Sequence, residues 1–546
     1  MTDPNLPASV GSEPAPTEPA SAAPSSPRSS GRSSALIAAG IFLSRLLGLL
    51  RQSLIARYLG AGWVSDAFNG AFKITNFLQN LFGEGALSAS FIPVYARALE
   101  HGDEHEADRI AGAVAALLGL IISLIVLAGI VFAPTVVKLV VGGFTGETLA
   151  LTVRLTRILF PGAGIFVMSA WCLGILNSHR RFFLSYVAPV FWNVAMIGAL
   201  LGFGPRVGDV ELSVILAWAS VIGAALQMGV QLPSVFRLLE HPRFVPDYGF
   251  PPVREVLHNF VPAFISRGVV QISGFIDTYM ASFLGVHGIV TLLQNAQTIY
   301  LLPISLFGMS ISAAELPEMS RDTGVGAAAL ERLRARLNAA LPRVAFFVVP
   351  SAIGFLVLGE AIAGVLLEHG KFTRDDSIRT WAILGGSAVG LVASALGRLY
   401  SSTFYALRDT KTPLRFAIAR VILTGVLGYL FAFPLPRLLG LPAWTGAVGL
   451  TASAGVAGWL EFLLLRRSIT ARIGRTGLAP ASLLRLWAAG AAAGAAGWGV
   501  MMVVPPSHQM LRGLAALAVF ALVYGGATLA LGVPEARALA GRLTRR

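Results

Sequence analysis

The sequence predicts an all-α membrane protein that crosses the bilayer about fourteen times. Three observations lead to this prediction: 55% of the 546 residues are hydrophobic, only 13% are charged, and long apolar stretches recur along the chain. Soluble domains carry roughly 25% charged residues, and a helix needs about 20 apolar residues to cross a bilayer. This composition excludes a water-soluble globular enzyme, which would have to expose much of its apolar surface.

The first 34 residues differ from the rest of the chain. They are rich in Pro, Ser and Ala, lack aromatic residues, and contain no apolar run of the signal-peptide kind. Such a segment buries too little surface to offset the entropy of ordering. We therefore predict a disordered cytoplasmic tail over residues 1–34.

Fourteen membrane-spanning segments follow the tail, and each is long enough to cross the bilayer as a helix. The predicted segments are 35–58, 64–97, 110–133, 150–177, 184–204, 211–236, 255–285, 288–318, 338–358, 377–406, 414–435, 443–465, 482–504 and 510–532. Most of the Lys and Arg residues outside the segments lie in loops on the side shared by both termini. Basic loops stay in the cytoplasm, so we predict that both termini are cytoplasmic. The net charge of +14 is thereby explained without nucleic acid as a partner.

The chain also contains an internal repeat. Ser44-Arg45 recurs as Ser266-Arg267, and Pro93 has a counterpart in Pro317. Because an even number of crossings returns the chain to its starting side, the repeat predicts two six-helix lobes of like orientation. These lobes are residues 35–240 and 253–467, followed by a C-terminal helix pair at 480–532. Parallel repeats of this kind place a transport site between the two halves.

A polar stripe marks the second segment. Its members are spaced three or four residues apart, which puts them on one face of a helix. The stripe consists of Asp66, Asn69, Lys73, Asn76, Asn80 and Glu84. Central charges that face lipid are costly, so we expect the stripe to line a hydrated cavity. The alternative is a set of polar contacts between helices, including a Lys73–Asp66 ion pair.

Three further segments carry polar faces. The first contains Arg45 and Arg51, the seventh Arg267 and Gln271, and the eighth several Thr, Asn and Gln side chains. The cations of these helices outnumber Asp66 and Glu84, so we expect a net positive cavity unless Asp277 also faces it. Because guanidinium groups bind phosphate oxygens well, the sequence predicts an anionic cargo with a lipid-linked head group.

Enzyme motifs are missing from the sequence. It contains no Rossmann, Walker A, zinc-protease or nucleophile-elbow pattern. The single cysteine, Cys172, excludes an intramolecular disulfide and a cysteine-rich metal site. We therefore predict a transporter with no catalytic residues, no metal and no cofactor.

The polar segments resemble the MviN/MurJ family, the lipid II flippases of the MOP exporter superfamily. The resemblance covers about residues 35–532. The matching stretches are Ser44-Arg45-Leu46-Leu47-Gly48 with Arg51, Gly60-Ala61-Gly62, Asp66-Ala67-Phe68, Ala71-Phe72-Lys73, Asn76, Glu84-Gly85-Ala86, Phe91-Ile92-Pro93, Gln271-Ile272-Ser273, His369-Gly370-Lys371-Phe372-Thr373, Phe404-Tyr405 and Asp409-Thr410-Lys411-Thr412-Pro413.

The resemblance implies a function in cell-wall synthesis. It implies that undecaprenyl-pyrophosphate-linked peptidoglycan precursor (lipid II) moves from the inner to the outer leaflet of the bacterial inner membrane by alternating access. Membrane potential or a cation gradient would drive transport, and the partners would be lipid II, membrane lipids and cell-wall synthesis proteins. Together with the polar stripes, it predicts the following cavity residues: Arg45, Arg51, Lys73, Asn76, Asn80, Arg267 and Gln271. The candidates for gating or ion coupling are Asp66, Glu84 and Asp277.

The chain departs from the family pattern at two places in the predicted cavity. Gln79 and Asn80 stand where the family usually has arginine in the second helix, and Thr298 replaces arginine in the eighth. Two cavity cations are therefore missing, whereas Arg267 is an additional one. Two alternatives remain open: an exporter of another polyprenyl-linked glycan, and a transport-inactive scaffold of the wall-synthesis machinery.

Overall fold

The computed structural model describes residues 27–82, 86–321, 327–505 and 509–543. These residues form helices joined by short connections, and no strand occurs among them. The first half contains α1 (Pro27–Leu59), α2 (Trp63–Phe82), α3 (Ser88–Glu100), α4 (Glu104–Val131), α5 (Ala133–Val140), α6 (Gly146–Ser178), α7 (Phe182–Phe203) and α8 (Asp209–Phe236). The second half contains α9 (Pro251–Ser282), α10 (Ile289–Pro303), α11 (Ser310–Arg321), α12 (Ala327–Val357), α13 (Gly359–Leu367), α14 (Arg374–Ala406), α15 (Lys411–Ala432), α16 (Pro434–Leu438) and α17 (Thr445–Ile473). The chain continues with α18 (Pro480–Val503), α19 (Gln509–Ala530) and α20 (Pro534–Leu543).

The prediction of an all-α membrane protein is confirmed. Eleven stretches of helix in the described residues are long and apolar enough to cross a membrane. Helices suit this environment because they satisfy their own backbone hydrogen bonds where water is absent. The other three predicted spans coincide with α1, α2 and α9, which are long helices that carry more polar residues. The count of fourteen therefore stays a prediction.

Two predicted segments are interrupted. The second divides into α2 and α3 around residues 83–85, which lie outside the described residues together with Glu84. The eighth divides into α10, a π-helix at Ile304–Met309, and α11. Pro303 ends α10 at this junction. Because proline has no N–H and its ring displaces the preceding turn, it explains the change of helix type.

The start of the first span also differs from the prediction. Helix α1 begins at Pro27 rather than at residue 35, and residues 1–26 of the predicted tail lie outside the described residues. Proline is well suited to the first position of a helix because its fixed φ matches the helix and no N–H is needed there. The polar residues that follow it extend the helix beyond its apolar part.

Each half packs mainly within itself. Helix α6 contacts α2, α4 and α8, and α7 packs against α1 and α8. In the second half α14 contacts α12 and α17, and α15 packs on α17. Helices α18 and α19 pack together against α12 and α13. This is the arrangement that the internal repeat predicts, and the exact lobe boundaries stay a prediction.

The connection between the halves is bonded to the first half. We call residues 237–250 the α8–α9 connection. The backbone N–H of His241 donates to the Asp108 carboxylate at the start of α4, with an N···O distance of 2.6 Å. Arg109 forms an ion pair with Asp247, also at 2.6 Å. The hydrogen bond from Arg109 lowers the pKa of Asp247 below its ordinary value. The connection therefore lies fixed along the first turns of α4.

Candidate functional site: a polar cavity between the halves

A cavity of about 950 Å³ lies between the two halves. Helices α1, α2, α3, α6 and α7 line it from the first half, and α9 and α10 line it from the second. Its polar lining residues are Ser44, Arg45, Arg51, Gln52, Asn69, Lys73, Asn76, Asn80, Ser88, Asn177, Ser185, Tyr186, Asn193, Gln271, Gln294, Gln297 and Thr298. In the described part of the chain, this lining includes three cations and no carboxylate.

Six of the seven predicted cavity residues line this space. They are Arg45, Arg51, Lys73, Asn76, Asn80 and Gln271. Nothing is described of the side chain of the seventh, Arg267. The spacing of three and four residues explains the placement on α2, because it turns Lys73, Asn76 and Asn80 to one helix face. That these side chains bind a substrate stays a prediction.

The cavity is accessible from one end of the bundle. Arg45 and Asn80, which line the cavity on the side toward the start of α1, are exposed. Asn69 and Asn193, which line the other end of the cavity, are 8% and 4% exposed. The cavity lining is therefore exposed on the side toward the start of α1 and buried on the side toward the end of α1.

Asp66 lies at that buried end and caps a helix of the other half. Its carboxylate accepts hydrogen bonds from the backbone N–H of Gly288 at 2.6 Å and from the backbone N–H of Thr291 at 2.8 Å. The Thr291 hydroxyl donates a third, at 2.9 Å. Gly288 precedes α10 with φ at +82°, a conformation that favours glycine. A carboxylate at a helix N-terminus satisfies free N–H groups and complements the helix dipole.

Further contacts join the halves at the same end. The Gln52 side chain donates to Asn295 at 2.6 Å. The backbone N–H of Lys371 donates to the carbonyl oxygen of Arg57 at 2.8 Å, and the Lys371 ammonium pairs with Asp209. We call the contacts of Arg57 and Asp66 with Gly288, Thr291 and Lys371 the interlobe latch.

The alternative Lys73–Asp66 ion pair was wrong. The Lys73 ammonium donates to the hydroxyl of Thr278 on α9, beside Asp277. Asp66 instead directs its carboxylate to the α10 N-terminus. The polar residues of α2 therefore serve two purposes, because one end of the stripe joins the halves and the remainder lines the cavity.

A second, smaller chamber lies in the second half. It has a volume of about 350 Å³ and shares Gly274, Gln297 and Leu301 with the larger cavity. Four charged side chains line it: Asp277, Arg398, Arg420 and Glu461. Of these, Arg420 and Glu461 form an ion pair at 2.9 Å.

The ion-coupling candidates stand in different surroundings. Asp277 lies in the small chamber, and one of its carboxylate oxygens is buried without a hydrogen-bond partner in the described residues. No group of three or more His, Cys, Asp or Glu side chains suited to a metal occurs in the described ranges.

The sequence-based prediction missed Arg398, Arg420 and Glu461 as site residues, although charged residues inside apolar segments were a visible signal. A coupling role for Asp66, Glu84 or Asp277 stays a prediction.

Comparison of the sequence with family models and with known proteins finds the same family in both cases. The family model described as lipid II flippase MurJ matches residues 55–511. The lipid II flippase MurJ of Burkholderia cenocepacia is 33% identical over 434 residues, which cover 78% of this chain and 80% of that protein. The probable lipid II flippase MurJ of Rhizobium tropici is 32% identical over 433 residues, or 77% of each chain.

Solved structures show the same fold. A lipid II flippase MurJ in an inward closed conformation matches with a TM-score of 0.73 and 24% identity, covering 91% of this chain and 99% of that one. An inward-facing MATE multidrug transporter of the MOP superfamily matches with a TM-score of 0.61 and 20% identity, covering 78% and 95%. From its family match and these relatives, the chain belongs to the lipid II flippase MurJ family, a family of multi-pass membrane transporters rather than enzymes.

Proposed function

We propose that this protein moves lipid II from the inner to the outer leaflet of the bacterial inner membrane by alternating access. The observation that carries the proposal is the basic cavity between the halves, accessible from one end and closed at the other by the interlobe latch. Family membership supports lipid II as the cargo.

The lining suits an anionic, hydroxyl-rich head group. Arg45, Arg51 and Lys73 supply positive charge for the pyrophosphate, and guanidinium groups can bind its oxygens in pairs. The many neutral amide side chains of the lining can hydrogen-bond to sugar hydroxyls and peptide groups. A volume of about 950 Å³ lies within the range of small-ligand sites, so the cavity can hold the pyrophosphate with adjoining sugar.

Access from a single side is what alternating access requires. With both termini in the cytoplasm, the accessible end of the cavity faces the cytoplasm and the latch lies at the outer surface. Cargo enters from the inner leaflet, the latch breaks, and the halves rock to expose the cavity outward. Membrane potential or a cation gradient supplies the driving force.

A second candidate cargo is another polyprenyl-linked glycan. Asn80 and Thr298 line the cavity as neutral side chains at positions where the resemblance leads us to expect arginine. The missing charges favour a less anionic head group. A scaffold without transport is less well supported, because the cavity is still lined by polar residues and accessible from one end.

Complementation of a strain depleted of its lipid II flippase tests the proposal. We expect the unmodified protein to restore growth, Arg45→Ala to impair it, and Lys138→Ala, an exposed cation outside the cavity, to have no effect. Failure of the unmodified protein to rescue, despite correct membrane insertion, would contradict the proposal. Arg267→Ala in the same strain shows whether that residue replaces the missing arginines.

A further inference from the structure

We propose that Trp192 is a positioning residue of the cargo site, which holds the Arg51 guanidinium in the cavity without neutralising its charge. This inference rests on the proposed binding of a pyrophosphate. Trp192 lies on α7 and reads as an ordinary apolar residue in the sequence, yet its ring lines the cavity beside Arg51.

Arg51 has an aromatic partner in place of an acid. Its guanidinium carbon lies 4.3 Å from the centroid of the Trp192 ring and 6.0 Å from that of Phe72. The Nε and Nη1 atoms are buried without a hydrogen-bond partner among the described residues. A buried guanidinium is normally paired with a carboxylate, because unpaired charge in a protein interior is costly. These donors therefore lack an acceptor that an anionic ligand could supply.

Trp192 is itself held in place from several sides. Its indole N–H donates to the hydroxyl of Ser220 on α8 at 3.2 Å. The Phe166 ring contacts it edge-on at 5.7 Å, and Phe72 stacks with it at 5.8 Å. A Cβ at Gly223 would lie only 2.6 Å from the indole Cδ1, so this position on α8 leaves the space that the indole occupies.

The choice of an aromatic partner affects what Arg51 can bind. The ring attracts the cation through its face, but it cannot accept hydrogen bonds in the plane of the guanidinium. A carboxylate at this place would accept those hydrogen bonds and compete with an anionic cargo. The Trp192–Arg51 stack thus fixes the position of the cation while its charge and its donors remain available to a phosphate.

Binding of undecaprenyl pyrophosphate to the purified full-length protein in nanodiscs tests this role. We expect Trp192→Leu to weaken binding about tenfold, the size of a desolvated cation–π attraction. Trp192→Phe, which retains an aromatic face, should recover most of the affinity. Ser220→Ala, which frees the indole N–H alone, should give a smaller loss. Trp218→Leu, which removes an exposed tryptophan of α8, serves as the matched control and should bind normally.

A double-mutant comparison separates positioning from general packing. In an Arg51→Ala background, Trp192→Leu should cause no further loss of pyrophosphate binding. An equal loss in both backgrounds, or unchanged binding in Trp192→Leu, would overturn the inference while the proposed function stands. No binding by the unmodified protein would overturn both. If Trp192→Leu does not fold, the same comparison made with Ser220→Ala decides between these outcomes, because its loss should also disappear in the Arg51→Ala background.

Discussion

Replacing Asp66 should open the interlobe latch. The carboxylate receives two backbone N–H groups and one hydroxyl from the start of α10. In Asp66→Ala, the two backbone groups lose their acceptor in a buried site, and each unsatisfied group costs about 1–3 kcal/mol. This cost falls on the closed state alone, because the contacts join the two halves. The two groups together cost about 2 kcal/mol or more. The equilibrium between the closed and open states should therefore shift toward the open state by roughly 30-fold or more.

Thiol labelling from outside the cell measures this shift. Asn193→Cys places a thiol at a buried position of the cavity lining, and Cys172→Ser removes the only native cysteine. A membrane-impermeant maleimide should label the cavity thiol faster when Asp66→Ala is added. Asp66→Asn retains one acceptor oxygen and should give an intermediate rate.

The matched control for this experiment is Glu211→Ala. Glu211 is an exposed acid in the first turn of α8. Its replacement should leave the labelling rate unchanged. Unchanged labelling in Asp66→Ala, with the protein correctly inserted, would refute the assignment of Asp66 to the latch.

Three further predictions concern the latch, the small chamber and a connecting loop. Gly288→Ala should favour opening by about 1–3 kcal/mol, because the added Cβ would clash with the carbonyl oxygen of Ala61 in the other half; labelling as slow as in the parent would contradict this. Arg420→Gln should lower the melting temperature, because it leaves Glu461 without its ion-pair partner. The double variant Arg420→Gln/Glu461→Gln should recover much of the loss. Equal melting temperatures of the parent, the single variant and the double variant would argue against a stabilising Arg420–Glu461 pair. Hydrogen bonds from the Thr412 hydroxyl and backbone N–H lower the pKa of Asp409 to about 2. Asp409→Asn should therefore destabilise the protein at neutral pH. The stability difference between the variant and the parent should disappear only as the pH falls toward about 2. A stability difference between Asp409→Asn and parent that grows on acidification would contradict this assignment.

The cavity-facing part of α2 could be predicted from the sequence because it depends on local geometry. Once the segment is helical, the spacing of Lys73, Asn76 and Asn80 places them on one side, and the cost of exposing them to lipid decides which side that is. The placement of the first-segment arginines follows from the same cost. Periodicity and transfer free energy are properties of short stretches, so one sequence is sufficient to evaluate them.

The partners of these residues could not be predicted in the same way. Asp66 caps a helix at Gly288, which lies 222 residues later, and no periodicity links two such positions. Trp192 resembled any aromatic residue of an apolar helix, and only the packing of α7 against α8 places it next to Arg51. Arg420 and Glu461 lie on neighbouring segments, and their pairing depends on how α15 and α17 are rotated relative to each other.

The α8–α9 connection determines how the two halves can move. Because it is bonded to α4 at Asp108 and Arg109, it is not a flexible linker between independent bodies. A rotation of the second half would involve both the residues between Asp247 and α9 and the Arg97–Glu255 ion pair, which joins α3 to α9 at 2.7 Å. If the halves rock as proposed, this connection favours tilting over sliding, and a small angular change at the connection becomes a larger displacement at the latch on the opposite end.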